Sequence, residues 1–104
     1  MIRVLVTEHL EQIQMIEVKG HAYSADPGQD LVCAGASTIS FGGINALDSI
    51  FKNDCDLVVD DNRIKIEVKK TSVCLQSCLH FMSIQYEMMA ETYPNYIKVT
   101  RKEV

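Results

Sequence analysis

One cysteine and one histidine in the first third of the chain have the types and spacing of a nucleophile and its base. His21 precedes Cys33 by twelve positions, and the segment between them contains Gly28, whose backbone can turn freely. A thiolate attacks carbonyl carbon, and an imidazole within hydrogen-bond reach activates the thiol and later protonates a leaving amine. The pair therefore predicts acyl transfer from a peptide bond. The alternative is structural, because a helical cysteine commonly packs in the core and a histidine can simply bond a loop carbonyl.

A helix is predicted to begin directly after Asp30, whose side chain is a preferred N-cap. Cys33 then falls in the first helical turn, where unpaired N–H groups favour a thiolate and can hold an oxyanion. Asp30 either orients His21 or only caps the helix. Ser37 lies one turn after Cys33 on the same helix face. Its hydroxyl either forms a hydrogen bond near the site or donates one to a carbonyl of its own helix.

Alternating and helical hydrophobic patterns predict the elements that position this pair. Residues 2–7 and 12–18 are predicted to form one hairpin and residues 55–59 and 63–69 a second. Helices are predicted from residue 31 to about 52 and from about 72 to 91, with a last strand at 96–100. The order ββαββαβ predicts an α+β fold, a mostly antiparallel sheet with two helices packed on it, in one domain over residues 1–104.

The residues around the candidate pair form a longer pattern: Gly20-His21-Ala22, five residues, then Gly28-Gln29-Asp30-Leu31-Val32-Cys33-Ala34, with Ser37 following. This pattern resembles the signature of the ribosomal-processing cysteine protease family, Prp, and the resemblance extends over essentially the whole chain. One departure is Gly35, where the family usually has a second alanine, and the helix start is expected to be looser for it.

The resemblance implies a Cys–His peptidase that acts as a homodimer and removes a short N-terminal extension from a large-subunit ribosomal protein precursor. On the matching positions it makes His21 the base and Cys33 the nucleophile. The supporting positions of the motif are Asp30, Ser37, Gly20 and Gly28. The alternative function is a non-catalytic, ribosome-associated module in which Cys33 only shapes a peptide groove.

The composition of the chain limits the kinds of binding partner that are expected. The net charge is −4 and the Lys and Arg residues are scattered along the chain, so direct binding of nucleic acid is not expected. No apolar stretch has the length of a signal peptide core or a membrane span, which predicts a cytoplasmic protein with reduced thiols. Cys74, Cys78 and His80 do not make a four-ligand set, so neither a metal nor a cofactor is expected. Surplus apolar residues on the second helix, among them Phe81 and Met88, either complete the core or meet the second copy in a homodimer.

Overall fold

The elements of the chain follow the predicted order, and the α+β fold class is confirmed. The computed structural model describes residues 1–20 and 29–104. Gln29 and Asp30 are described by their backbone alone. The strands are β1 (Ile2–His9), β2 (Gln12–Lys19), β3 (Cys55–Asp60), β4 (Arg63–Val68) and β5 (Ile97–Glu103), and the helices are α1 (Gln29–Ile50) and α2 (Val73–Thr92).

The five strands form one sheet in the order β3-β4-β2-β1-β5. Its three pairs other than β1–β5 are antiparallel, and β5 lies parallel to β1 because α2 carries the chain across the sheet before β5 begins. Alternation places Ile2, Val4 and Val6 of β1 on the buried face and Arg3 on the opposite face.

Both helices contribute to the core that covers the buried face of the sheet. Val32 and Leu47 of α1 and Leu75 and Leu79 of α2 are buried in the same apolar cluster as the inward strand residues. Ser72 caps α2 in an extended conformation, its hydroxyl accepting a hydrogen bond from the Leu75 amide at 3.1 Å. The predicted position of this helix is therefore confirmed.

A buried polar pair joins the two helices. Ser40 of α1 and Tyr86 of α2 are 2% and 0% exposed, and their hydroxyl oxygens lie 2.6 Å apart. Burial raises the pKa of the Tyr86 phenol to about 12, although the hydrogen bond with Ser40 acts in the opposite direction. The two hydroxyls are hydrogen-bonded to each other, so this buried hydrogen bond depends on the relative position of the two helices.

Helical spacing from Leu75 and Met82 predicts that Cys78 lies on the buried face of α2, and this prediction is wrong, because Cys78 is exposed. The buried stripe runs instead through Leu75, Leu79, Met82 and Tyr86. Neither described helix is both long and apolar enough to cross a membrane.

Candidate active site

Cys33 is the fifth residue of α1, which begins at Gln29, two residues earlier than predicted. Asp30 is thus helical and is not the N-cap, since an N-cap residue has non-helical backbone angles. Cys33 consequently lies just past the four unpaired amides, where their field is weaker than the sequence predicted.

The Cys33 side chain is half-buried, packs against the core and lines a cavity of about 120 Å³. Ser37 and Ser40 follow Cys33 at one and two helical turns and line the same cavity. Its apolar walls come from the sheet and from α1: Ile2, Val18, Ala36, Phe41 and Ile64. On the α1 side the cavity is therefore lined by a cysteine, two serines and apolar residues, and the Ser40 hydroxyl is already hydrogen-bonded to Tyr86.

Gly20 closes the cavity where β2 ends. Its φ of +90° is one that side-chain-bearing residues rarely adopt, and a Cβ atom built on it would lie 2.4 Å from the Met1 carbonyl oxygen. Its N–H donates a hydrogen bond to the Asn62 carbonyl at 3.3 Å. The chain therefore requires glycine at the position before His21.

The turn between β3 and β4, a segment in which the sequence indicates no site residue, forms the remaining wall. Asp60, Asp61, Asn62 and Arg63 all line the cavity, about thirty positions along the chain from Cys33. Arg63 pairs with the Asp60 carboxylate at 3.1 Å, which offsets part of the negative charge there. The β2–β4 pairing creates the proximity, and no local signal in the sequence indicates it.

The structure brings together three of the predicted site residues: Cys33, Ser37 and Gly20. His21 and Gly28 lie outside the described residues, and Asp30 is described only by its helical backbone. At the family's alanine position, a Cβ atom on Gly35 would lie 3.0 Å from the terminal methyl of Met89 on α2. The departure from alanine therefore relieves a tight contact between the helices.

The other three cysteines, all within the described residues, are not among those that line this cavity. Cys74 and Cys78 are exposed, and Cys55 is half-buried at the start of β3. Burial raises the pKa of the Cys55 thiol, and the neighbouring carboxylates of Asp54 and Asp56 raise it further. Within residues 1–20 and 29–104, the acidic, histidine and cysteine side chains form no cluster of three that could hold a metal ion.

Known proteins resemble this chain in sequence and in fold. The ribosomal processing cysteine protease Prp of Staphylococcus aureus is 29% identical over 98% of this chain and 100% of its own length. The Mycoplasma genitalium protein of the same name is 30% identical over 81% of this chain and 84% of its own.

Crystal structures of the S. aureus protease, described as an essential ribosomal processing protease, match the fold with a TM-score of 0.87 at 29% identity, covering 98% of this chain and 100% of theirs. One contains a substrate peptide and another a covalently linked product peptide. The family model "Cysteine protease Prp" matches residues 1–98. With its sulfur in a cavity at the start of α1 and this match over nearly its full length, the chain belongs to the Prp family of cysteine proteases.

Proposed function

We propose that this protein is a cysteine endopeptidase that removes a short N-terminal extension from a large-subunit ribosomal protein precursor in the cytoplasm, with Cys33 as nucleophile and His21 as base. One observation carries the assignment of the pair: Gly20, the residue bonded to His21, lines the same cavity as Cys33. The ribosomal substrate is supported by the names of the relatives, which are ribosomal processing proteases. The non-catalytic alternative has no comparable support, because the matching family is one of proteases.

In the proposed reaction, His21 takes the thiol proton and the Cys33 sulfur attacks the carbonyl carbon of the scissile peptide bond. The resulting oxyanion collapses, the C–N bond breaks, and the imidazolium gives its proton to the leaving amine. Water, deprotonated by His21, then attacks the thioester and releases the carboxylate product and the thiol. Every atom in this sequence comes from the peptide, water, Cys33 or His21, so it requires no cofactor. The covalent product complex of the S. aureus relative fits an acyl-enzyme step of this kind.

The supporting residues have distinct proposed roles. Gly20 sets the backbone from which His21 follows, and Ser37 presents its hydroxyl to the cavity one turn beyond the sulfur. Asp30, a helical residue of the first turn, stabilises the helix start through the dipole and is proposed to orient His21. Gly28 is proposed to let the substrate backbone approach. All of these residues belong to the single protease domain proposed for residues 1–104.

Cleavage of the extended precursor tests the proposal. The wild-type protein is expected to release the extension, whereas Cys33→Ala and His21→Ala abolish release because each removes one half of the acid–base and nucleophile pair. Cys78→Ala is the matched control, since it also removes a thiol from a helix but one that is exposed on α2. Release by Cys33→Ala at the wild-type rate would exclude the mechanism.

Alkylation by iodoacetamide at neutral pH separates an activated sulfur from an accessible one. Cys74 and Cys78 are more exposed than Cys33, so access alone predicts that they react first. Activation by His21 predicts the reverse order, with Cys33 fastest and Cys55 slowest because its raised pKa keeps it protonated. Labelling of Cys33 more slowly than Cys74 would contradict activation.

We further propose that the active form is a homodimer that uses the outer face of α2. Phe81, Ile84 and Met88 share one helix face and are 68%, 55% and 58% exposed. They adjoin an apolar groove of about 530 Å³ between α1 and α2, lined by Phe81 itself and by residues such as Ile39 and Phe51. An apolar surface of this kind on a small protein typically marks an interface, and the family resemblance supplies a second copy as its occupant.

Sedimentation equilibrium tests this surface with a pair of matched variants. Phe81→Glu is expected to yield monomers because a carboxylate cannot be buried unpaired in an apolar interface. Val59→Glu introduces the same charge at another exposed apolar residue, on edge strand β3, and is expected to leave the dimer intact. Dissociation of both variants to the same degree, or a monomeric wild type, would refute the assignment.

A further inference from the structure

The solvent face of the sheet carries a row of basic side chains that the strand register assembles from distant parts of the chain. Lys98 of β5 lies opposite Arg3 of β1, Arg3 opposite Lys19 of β2, and Lys19 opposite Arg63 of β4. Four adjacent strands thus present four cations side by side. With strands about 4.8 Å apart, the row spans about 14 Å.

Like charges directly opposite each other destabilise a sheet, so the row requires compensation or a ligand. Glu17 compensates one half of it, lying 3.6 Å from the Lys19 ammonium and 3.7 Å from the Arg63 guanidinium, and Asp60 pairs with Arg63 at the far end. Among the described residues, no acidic side chain lies within ion-pair distance of Arg3 or Lys98. The β1–β5 half of the row is therefore an uncompensated pair of cations.

A hollow of about 280 Å³ lies over this half. Arg3, Lys19 and Lys98 surround it, Leu5 contributes an apolar side chain and Thr100 a hydroxyl. Glu17 also lines the hollow, but its carboxylate is already held between Lys19 and Arg63. The site therefore has two uncompensated cations for an anion, Arg3 and Lys98, beside the Lys19–Glu17 pair, and space for a group as large as a phosphate.

We propose that this face, whose uncompensated end at Arg3 and Lys98 lies on the opposite side of the sheet from α1, binds the phosphate backbone of RNA. The row spans about 14 Å, the length of about four phosphates of a stacked strand at ~3.4 Å rise, and its uncompensated cations Arg3 and Lys98 contact two of them, whereas an acidic peptide would need consecutive carboxylates at that spacing. Within the described strands, the outward residues directly beside the row are Leu5, Glu17, Lys65 and Thr100, and none of these four is aromatic. Contacts are thus with phosphates rather than stacked bases, and binding is independent of sequence.

The choice of RNA over DNA rests on the proposed ribosomal substrate, while the phosphate chemistry rests on the row alone. This inference departs from the expectation, drawn from the scattered Lys and Arg residues, that the chain does not bind nucleic acid. The residues are scattered in the sequence and contiguous only across the folded sheet.

Fluorescence anisotropy with a labelled twelve-nucleotide RNA tests the proposal in the Cys33→Ala background, so that binding is measured apart from cleavage. The wild-type face is expected to bind with a Kd in the range of ~10⁻⁴–10⁻⁶ M, and log K to fall linearly with log salt. The double variant Arg3→Gln/Lys98→Gln is expected to bind about tenfold more weakly at 50 mM salt and to reduce the salt slope by about 1.4, at ~0.7 per phosphate contact.

The control is Lys52→Gln/Lys70→Gln, which removes two exposed cations that lie outside the strands and is expected to keep the wild-type slope. Absence of salt-dependent binding by the wild-type face, or equal losses in the two double variants, would overturn the proposal. Tighter binding of poly-glutamate than of RNA would identify the ligand as an acidic peptide and would also overturn it, whereas weaker binding of poly-glutamate supports it. None of these results depends on whether the precursor is cleaved.

Discussion

Two adjacent glycines in the middle of α1 have opposite surroundings, and alanine at each should have opposite effects on stability. A Cβ atom on Gly42 would meet nothing within 4 Å, whereas one on Gly43 would lie 2.6 Å from the terminal methyl and 2.7 Å from the sulfur of Met82 on α2. Gly43 thus permits the close approach of the two helices, while Gly42 only costs helix propensity.

The magnitudes follow from these surroundings. Gly42→Ala is expected to raise the free energy of unfolding by about 1 kcal/mol, the helix-propensity difference. Gly43→Ala gains the same propensity but must displace the Met82 side chain, which is 5% exposed. Overpacking costs ~1–3 kcal/mol, and the low end applies because the displaced atoms end a flexible side chain that borders the α1/α2 groove. The net change for Gly43→Ala is therefore between about zero and a loss of ~1 kcal/mol.

Urea denaturation of wild type and both variants at one protein concentration measures the difference, and repetition at a second concentration separates folding from any change in association. Thermal midpoints should differ by roughly 4–8 °C for each kcal/mol. Equal stabilisation by the two alanines would refute the packing of Met82 against Gly43. Destabilisation by Gly42→Ala would show that its surface is covered by another copy.

Three further predictions concern stability. Leu10 and Glu11 both have positive φ in the β1–β2 turn, a conformation that costs ~1–2 kcal/mol for each residue with a side chain. Replacing the pair with Asn-Gly, which adopts positive φ readily, should therefore raise the urea midpoint of unfolding. An unchanged midpoint would contradict the backbone strain. Ser40→Ala and Tyr86→Phe each leave the other buried hydroxyl without its partner, so each single variant should lower the free energy of unfolding by ~1–3 kcal/mol. The double variant should lose clearly less than the sum of the two, whereas additive losses would show that the hydroxyls do not interact. Because folding raises the Tyr86 pKa from 10 to about 12, stability is fully present below pH 10 and falls as pH rises from 10 through 12, with a full loss on the order of 3 kcal/mol above pH 12. Denaturation at pH 9 and pH 11.5 should show about 2 kcal/mol of that loss in wild type and a smaller loss in Tyr86→Phe.

The order and type of the elements follow from local patterns that the fold preserves. Alternation in β1 and β2 and the apolar spacing from Leu75 to Tyr86 identify strands and helix because each buries one face. The exposure of Cys78 was not predictable in the same way, since helical spacing marks a broad stripe and the contact with α1 decides which edge of it is buried. The start of α1 at Gln29 was missed because aspartate is favourable both as a cap and within the first turn.

The candidate site shows the same division. The type and spacing of His21 and Cys33 predict the chemistry, and in the fold Gly20 and Cys33 line one cavity. The acidic turn at Asp61 and the basic row that includes Arg3 depend on which strands become neighbours and in which register. That information lies in contacts between residues far apart in sequence, which periodicity within one segment does not encode.

Trapping of the covalent intermediate tests the central claim most directly. The protein is mixed with a peptide that spans the junction of the precursor, quenched with acid within one turnover, digested and analysed by mass spectrometry. A thioester between the sulfur of Cys33 and the carboxyl end of the released segment is predicted, sensitive to hydroxylamine and absent from Cys33→Ala. Cleavage with no adduct on Cys33, or with the adduct on Cys55, Cys74 or Cys78, would contradict the account.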